Sequence, residues 1–315
     1  MSSELKRTIN RQLLELDRIN GAIALSVDVM KAFSSTLKSY EGDMSQQALI
    51  KEFIRLHDLF MSCRPRMAQV ILDTQRGLLH LMENSTPDLP KIQGLIENNI
   101  QQKWDNADKI VELSAELLDN DKILFLHSYS TQIDRLITFL ANKNIKPRVI
   151  VAEQEEVKTA RLLRVLDKYE FNFHVVSEYS VSHIIDSIDV AMFGALTINH
   201  NRGIVMAPGS SGLVSDMNRS SIPVYALLPT GKFSYWEDNY EPAYMERRDK
   251  QKYGVEYKKD VYSHDVLDLK LFTATITEEG ILDYDNLIAL FIKLQKEFLI
   301  AEEKIDTLKA RNSNG

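Results

Sequence analysis

The pattern of apolar residues changes at Asp119, and this change constrains the fold more than any other feature of the sequence. Before it, apolar residues recur at helical spacing in LKRTINRQLLELDRI, QQALIKEFIRLHDLFMSC and WDNADKIVELSAELL. After it, short β-rich runs alternate with helical runs. The sequence therefore predicts the α/β class, with an all-helical N-terminal domain followed by a Rossmann-like domain that has a mostly parallel sheet.

The predicted strands are ILFLH (123–127), RVIVAE (148–153), FNFHVVS (171–177), VAMFGA (190–195), PVYALL (223–228) and LFTATIT (271–277). Helical runs are predicted between most of them, at 131–141, 155–168, 179–187 and 210–219. Ligands of parallel sheets bind beyond the carboxyl ends of the strands. We therefore expect the functional residues directly after these strands.

We predict a helical domain over 1–118, the Rossmann-like domain over 119–300, and a helical or disordered tail over 301–315. Residues 234–264 are polar, rich in tyrosine and weakly periodic, which predicts a long loop. The stretch from Tyr284 onward has apolar residues at helical spacing. The sequence leaves open whether this last helix packs on its own domain or binds a partner.

Charge and cysteine content exclude several classes of function. The net charge of −7 weighs against direct binding to nucleic acid or to an anionic membrane. The single cysteine, Cys63, excludes an internal disulfide and a multi-cysteine metal site, and it fits a reducing cytoplasm. The N-terminal MSSELKRTIN lacks the apolar core of a secretory signal. We expect a cytoplasmic protein without cofactor or metal ion.

A hydroxyl-rich turn, HSYST, joins the first predicted strand to the first helix of the α/β segment. Hydroxyl and N–H groups at a helix N-terminus often bind anions, here near His127 and Ser128. The simpler interpretation is capping by Ser130 or Thr131. The motif G-x-S-x-G is absent and the sequence supplies no base for Ser128, so a hydrolase nucleophile is not predicted. We interpret Ser128 as capping the helix at the edge of a ligand crevice.

A second turn, APGSSGL, opens the helical run at 210–219. Gly209 and Gly212 allow close approach of the backbone, and Ser210 and Ser211 can donate to a phosphate. The turn is not a Walker loop, because the Gly-Lys-Ser/Thr ending is missing. The segment LPTGKF places one basic residue, Lys232, at a strand end near the same crevice.

The order of these segments resembles a known family. The family contains the alpha, beta and delta regulatory subunits of eukaryotic translation initiation factor 2B, their archaeal relatives, and isomerases of methylthioribose 1-phosphate and ribose 1,5-bisphosphate. The resemblance covers roughly residues 18–292 and rests on INGAIALSVDVM, SCRPRMAQVI, ILFLHSYSTQIDRLI, VIVAEQEEVKTARLL, DVAMFGALTINHNRGIVMAPGSSGLV, PVYALLPTGKF and LFTATITEEGIL. It implies a helical domain on a Rossmann-like domain, and a homodimer through the C-terminal domains.

The chain departs from the isomerases at the positions that the resemblance implies are catalytic. Their cysteine after the strand-end histidine is Ser128 here, and their aspartate after Gly-Ala is Leu196. Asn20 replaces an arginine, residues 206–210 replace Asn-Lys-Ile-Gly-Thr, and Arg64 of the Arg-Pro pair is retained. Leucine carries no proton and a serine hydroxyl does not replace a thiolate, so we expect no isomerase activity.

The resemblance thus implies a non-catalytic regulatory or scaffold protein, a pseudoenzyme acting as a homodimer or with a translation-initiation partner. A further hypothesis is that a sugar phosphate or nucleotide binds in the relic crevice. The residues expected to bind it are Asn20, Arg64, His127, Ser128, Ser130, Gly209, Ser210, Ser211 and Lys232. The alternative is a divergent sugar-phosphate isomerase that uses His127, His200 and Lys232 as acid–base groups.

Overall fold

The computed structural model describes residues 45–62, 68–83, 89–154, 156–236, 245–252 and 254–313, together with residues 24, 26–28, 30, 31 and 34. They fall into two compact units: one holds the described residues up to Asn106 and those from Ala289 onward, and the other runs from Ala107 to Ile288. Compactness does not establish independent folding. The predicted domain boundaries after residues 118 and 300 therefore stay predictions.

The helices and strands are named in chain order. The helices are α1 (Gln46–Ser62), α2 (Ala68–Glu83), α3 (Leu89–Ala115), α4 (Thr131–Asn142), α5 (Glu156–Lys168), α6 (Ser210–Arg219) and α7 (Tyr284–Ser313). The strands are β1 (Ile123–His127), β2 (Arg148–Glu153), β3 (Phe173–Ser177), β4 (Val190–Gly194), β5 (Thr197–Ile198), β6 (Gly203–Met206), β7 (Val224–Leu227), β8 (Met245–Lys252), β9 (Val255–Tyr262), β10 (Asp265–Asp268), β11 (Ala274–Thr277) and β12 (Gly280–Leu282).

The first unit is helical and has its own apolar core. Phe53 of α1, Leu78 of α2 and Ile96 of α3 are buried together with Ile305 of α7. The C-terminal helix therefore packs on helices of its own chain, one of the two alternatives left open by the sequence. Among the described helices, none is long and apolar enough to cross a membrane.

Polar contacts hold α7 against α1 and α2 within this unit. The Nε2 atom of Gln75 donates to Oε1 of Glu302 at 2.7 Å, and Nε2 of the buried His57 lies 3.0 Å from the same oxygen. Burial raises the pKa of Glu302, but the interactions with His57, Gln75 and Lys309 together lower it by more, so the net pKa is below its ordinary value. The folded state thus favours the ionised carboxylate.

The second unit is built on a seven-stranded sheet with the order β12-β11-β7-β4-β1-β2-β3. All neighbouring strands are parallel except β12, which is antiparallel to β11. The chain leaves β1 toward β2 and β3, then returns to the other side of β1 at β4. This reversal creates a switch point between β1 and β4, where α/β proteins bind ligands. The predicted fold class is confirmed.

The central strand explains why the sheet could be predicted. Leu124, Phe125 and Leu126 of β1 are completely buried, and Ile133 and Leu136 of α4 are buried against the same core. A parallel strand covered on both faces reads as an uninterrupted apolar run in the sequence. The predicted bounds of β1 and β2 match the structure, and those of α6 do as well.

Other predictions need correction. The helical run predicted at 179–187 forms two 3-10 helices, Glu178–His183 and Ile185–Ser187. The long loop predicted at 234–264 contains the antiparallel hairpin of β8 and β9, while residues 237–244 and 253 lie outside the described part of the chain. A small antiparallel sheet of β10, β6 and β5 was not predicted.

Replacing Glu302 by Gln should lower the free energy of unfolding at pH 7 by about 1–3 kcal/mol, because hydrogen bonds to a charged group are lost. The pKa of Glu302 is depressed in the folded state, so its contribution is present above its ordinary pKa of 4.5 and disappears as the pH falls through the folded value. The variant should lose less stability than the wild type on acidification. Urea unfolding between about pH 3 and pH 7 measures both effects.

Glu303→Gln is the matched control, because Glu303 is the neighbouring acid on α7 and is exposed. Its unfolding free energy should follow the wild type across the same pH range. Equal acid dependence of the wild type and the Glu302→Gln variant would contradict the role assigned to Glu302.

Candidate functional site

The candidate site lies at the carboxyl edge of the sheet, where β1 ends at His127 and β4 ends at Gly194. The helix α4 begins just after β1, and α6 begins after the turn that follows β6. Of the residues predicted to bind a ligand, His127, Ser128, Ser130, Gly209, Ser210, Ser211 and Lys232 are described in the structure. Asn20 and Arg64 lie outside the described residues.

Ser130, and not Ser128, caps α4. The Oγ atom of Ser130 accepts a hydrogen bond from the N–H of Ile133 at 3.2 Å, and its backbone is extended as at a typical N-cap. Ser128 has a φ of 67°, in the left-handed region that serine rarely adopts. The interpretation of Ser128 as the cap is therefore wrong. Its backbone instead turns the chain between the strand and the helix.

Gly194 allows the Ser130 cap to approach the end of β4. A Cβ atom at position 194 would overlap the side chain of Ser130, because that side chain packs directly against the glycine. The two neighbouring strands thus bring their loops together only because one of them ends in glycine. This contact joins the loop after β1 to β4.

His127 binds two side chains from distant parts of the sequence. Its Nε2 atom lies 2.6 Å from Oε1 of Glu178, and its Nδ1 atom lies 3.3 Å from Oγ of Ser210. A carboxylate only accepts hydrogen bonds, so Nε2 carries a proton that it donates to Glu178. The histidine and Ser210 are almost completely buried, whereas Glu178 is about one-third exposed. The three groups form one hydrogen-bonded chain.

The turn before α6 is shaped by Gly209 and contacted by two carboxylates. Gly209 has a φ of 91°, and a Cβ atom there would lie 2.7 Å from both carboxylate oxygens of Glu178. The N–H of Ser211 donates to Oδ2 of Asp265 at 2.9 Å. A Cβ at Gly212, in contrast, would meet nothing within 4 Å. Only the first of the two predicted glycines is required by the geometry.

Two glutamines near the ends of β1 and β2 keep unused hydrogen-bonding capacity. The Nε2 atom of Gln154 donates to the carbonyl of Pro208 at 3.1 Å, which ties the loop after β2 to the turn before α6. Its Oε1, and both amide atoms of Gln132, are buried and have no hydrogen-bond partner among the described residues. Groups of this kind cost stability unless water or a ligand satisfies them.

Lys232 is held by the protein itself. Its Nζ atom donates to the carbonyl of Ala195 at 2.9 Å, and its side chain is buried. The 3-10 turn that carries it, Thr230–Lys232, is fixed by hydrogen bonds from the N–H and Oγ1 of Thr230 to the carboxylate of Glu278. Lys232 therefore links the loop after β7 to the end of β4. The structure places His200 in the turn between β5 and β6.

Tyr129 is a polar group that the sequence did not single out. Burial raises its pKa, and the hydrogen bond that its hydroxyl donates to Asp134 at 2.6 Å raises it further. Arg161 lies over the ring, 5.7 Å from its centre, and only partly opposes this shift. Tyr129 is accordingly a stable hydrogen-bond donor rather than an acid–base group.

The chain Ser210–His127–Glu178 has the order of a nucleophile, a base and an acid, but two features argue against hydrolysis. Ser210 is only 1% exposed, so its Oγ does not lie at the surface of the crevice. The N–H of Ser211, which follows it and would stabilise an oxyanion, already donates to Asp265. The arrangement cross-links the loops around the crevice.

Sequence reasoning missed Glu178 and Asp265. Glu178 is 51 residues from His127, and Asp265 is 54 residues from Ser211. Neither acid belongs to a motif, and each reaches the site only through strand pairing or an irregular turn. Asp265 begins β10, a short strand that was not predicted, and an aspartate at such a position is too common to mark a site.

A sequence model of the Initiation factor 2 subunit family matches residues 18–284 of this chain. A protein from Pyrococcus abyssi, described as translation initiation factor eIF-2B subunit 2-like, is 21% identical over 272 residues, which are 85% of this chain and 93% of the relative. The match therefore spans nearly the whole relative.

Two solved structures have the same fold. The translation initiation factor eIF-2B of Pyrococcus horikoshii OT3 superposes with a TM-score of 0.71 at 20% identity, covering 90% of this chain and 98% of that one. The 5-methylthioribose 1-phosphate isomerase of the same organism superposes with a TM-score of 0.67 at 14% identity, covering 92% and 87%. At such low identity these similarities show the fold and do not assign an activity.

The two glycines before and in α6 offer a matched test of the turn. Gly209→Ala should lower the free energy of unfolding by about 1–3 kcal/mol, because of its positive φ and the contact with Glu178. Gly212→Ala should be neutral or stabilise by about 0.5–1 kcal/mol, because alanine favours a helix and has room. Urea unfolding compares them, and equal effects would refute this account of the turn.

The two serines of the first turn offer a second matched test. Ser130→Ala should cost about 1 kcal/mol of unfolding free energy, because the cap of α4 is lost. Ser128→Ala should cost less than half of that, because its side chain does not cap the helix. The same unfolding assay measures both variants. A larger loss for Ser128→Ala would restore Ser128 as the cap.

Proposed function

This chain belongs to the initiation factor 2 subunit family, and we propose that it acts as a non-catalytic regulatory or scaffold protein. In this proposal it works by contact with other protein chains, as a homodimer or as a subunit alongside a translation-initiation partner. Its location would be the cytoplasm. Membership of a family of subunits, and a sequence match to a relative described as subunit 2-like, support the proposal.

One observation carries the non-catalytic part of the proposal: the polar groups of the crevice bind one another. His127 is held between Glu178 and Ser210, Lys232 donates to the Ala195 carbonyl, and Asp265 accepts from the Ser211 N–H. Acid–base catalysis requires groups that reach the substrate proton. His127, Ser210 and Lys232 are almost completely buried, which supports the view that they do not reach a substrate.

The alternative function, a divergent sugar-phosphate isomerase, is supported less well by the same geometry. Leu196 lies directly after Ala195, where the resemblance implies a catalytic aspartate, and it presents an apolar side chain that is 36% exposed. Its N–H donates to the carbonyl of Val205 at 2.8 Å, so its backbone is also fixed. An isomerase would need another acid–base group in its place.

Exposed apolar side chains beside the crevice support protein contact. Val266 of β10 and Leu196, which precedes β5, are both exposed. Val266 pairs with Val205 of β6, and the Leu196 N–H donates to the Val205 carbonyl. Apolar groups at a surface can form the centre of a protein interface. We propose this part of residues 107–288 as a contributor to the homodimer. Binding of a sugar phosphate or nucleotide stays a separate prediction.

The purified protein should not turn over methylthioribose 1-phosphate or ribose 1,5-bisphosphate above a protein-free blank. An authentic isomerase provides the positive control, and product can be followed by nuclear magnetic resonance. Turnover that disappears in His127→Gln or Lys232→Met variants would overturn the non-catalytic proposal, because those residues are the acid–base candidates of the alternative.

The assembly is tested separately from turnover. Light scattering after size-exclusion chromatography should give twice the mass of the chain at micromolar concentration. Hydrogen exchange at high and low concentration should then show extra protection within residues 107–288. A monomer at all concentrations, or protection confined to residues outside that range, would contradict the proposed homodimer.

A further inference from the structure

The N-terminus of α6 is capped by an acid from another part of the chain. Its own N-cap residue, Gly209, has no side chain to accept from the first turn. Asp265 supplies the missing acceptor: it begins β10, pairs with Met206 of β6, and its Oδ2 lies 2.9 Å from the Ser211 nitrogen. A helix N-terminus attracts negative charge, so this carboxylate occupies the position that suits an anion.

A second acid lies against the other side of the same turn. Glu178 begins a 3-10 helix after β3, and its Oε1 accepts from His127. Both of its oxygens would be 2.7 Å from a Cβ atom at Gly209, so the carboxylate rests directly on the turn backbone. The glycine is required there because the acid fills the space that a side chain would take.

Together these contacts place two carboxylates on the segment Gly209–Ser211. A phosphate bound at this turn would compete with Asp265 for the Ser211 N–H and would meet the charge of Glu178 at close range. Like charges at such distances repel strongly in a partly buried site. We propose that Glu178 and Asp265 are internal anionic ligands of the crevice, and that they exclude phosphorylated small molecules from it.

This inference goes beyond the proposed function and does not depend on it, because a scaffold could either bind or exclude phosphate. It opposes the sequence-based hypothesis that a sugar phosphate or nucleotide binds in this crevice, and the titration below decides between the two. It also gives the crevice a defined selectivity: anions are rejected by two identified side chains. Removing those two charges while keeping the side-chain shapes should therefore uncover an anion site. The prediction concerns a gain of binding, which a merely structural role for the two acids would not produce.

The test compares the wild type with Glu178→Gln/Asp265→Asn. The control double variant, Asp167→Asn/Glu279→Gln, removes the same charge from two exposed acids of the same unit. Inorganic phosphate is titrated by calorimetry. The ionic strength is kept constant by replacing chloride with phosphate. Wild type and control should bind weakly or not at all, and the crevice variant should bind at least about tenfold more tightly, because each removed charge lowers the local repulsion.

Three results would overturn the proposal. The first is binding by the crevice variant that is less than about tenfold tighter than binding by the wild type, a difference too small to be the effect of two removed charges. The second is no binding by a folded crevice variant, and the third is an equal gain in the control. Circular dichroism verifies folding. If the double variant does not fold, Asp265→Asn and Glu178→Gln are titrated singly, and the same criteria apply to each.

Discussion

The pairing of β1 with a parallel strand on each side determines where the groups of the crevice lie. His127 pairs with Ala152 of β2, and Leu126 pairs with Met192 of β4. Because the three strands run in the same direction, their carboxyl ends reach one edge of the sheet together. A slip of one residue in either pairing would turn every side chain to the opposite face and separate His127 from its partners.

From this edge, short-range sterics fix the loops. Gly194 ends β4 without a side chain, so that Ser130 can cap α4 against it. Ser128 and Gly209 both have positive φ, so the chain turns sharply after β1 and before α6. A serine in the left-handed region carries a cost of roughly 1–2 kcal/mol, which persists only where the surrounding structure holds it. Packing contacts and the cap therefore fix the backbone of these loops at the edge of the sheet.

The sequence was a good guide where the physics is local, and a poor one elsewhere. The apolar run of β1 was readable, because burial on both faces leaves a signature within a few residues. The helix N-terminus after it was also readable, but the predicted cap was Ser128, with Ser130 only as an alternative. The hairpin of β8 and β9 was missed because most of its residues are charged, and charged residues are uncommon in strands. Glu178 and Asp265 were missed because only long-range pairing brings them to the turn.

Hydrogen bonds between distant residues tie the loops of the crevice to the sheet. His127–Glu178 ties the loop after β3 to β1, Lys232–Ala195 ties the loop after β7 to β4, and Glu278 fixes the turn that carries Lys232.

A buried polar group left without a partner costs about 1–3 kcal/mol, so each of these contacts must be kept once the groups are buried. Leu196 follows Ala195, whose carbonyl accepts from Lys232, so this exposed apolar residue lies beside a contact that fixes its loop. Under the proposed function, a fixed loop of this kind would lose little conformational entropy when a protein partner covers it.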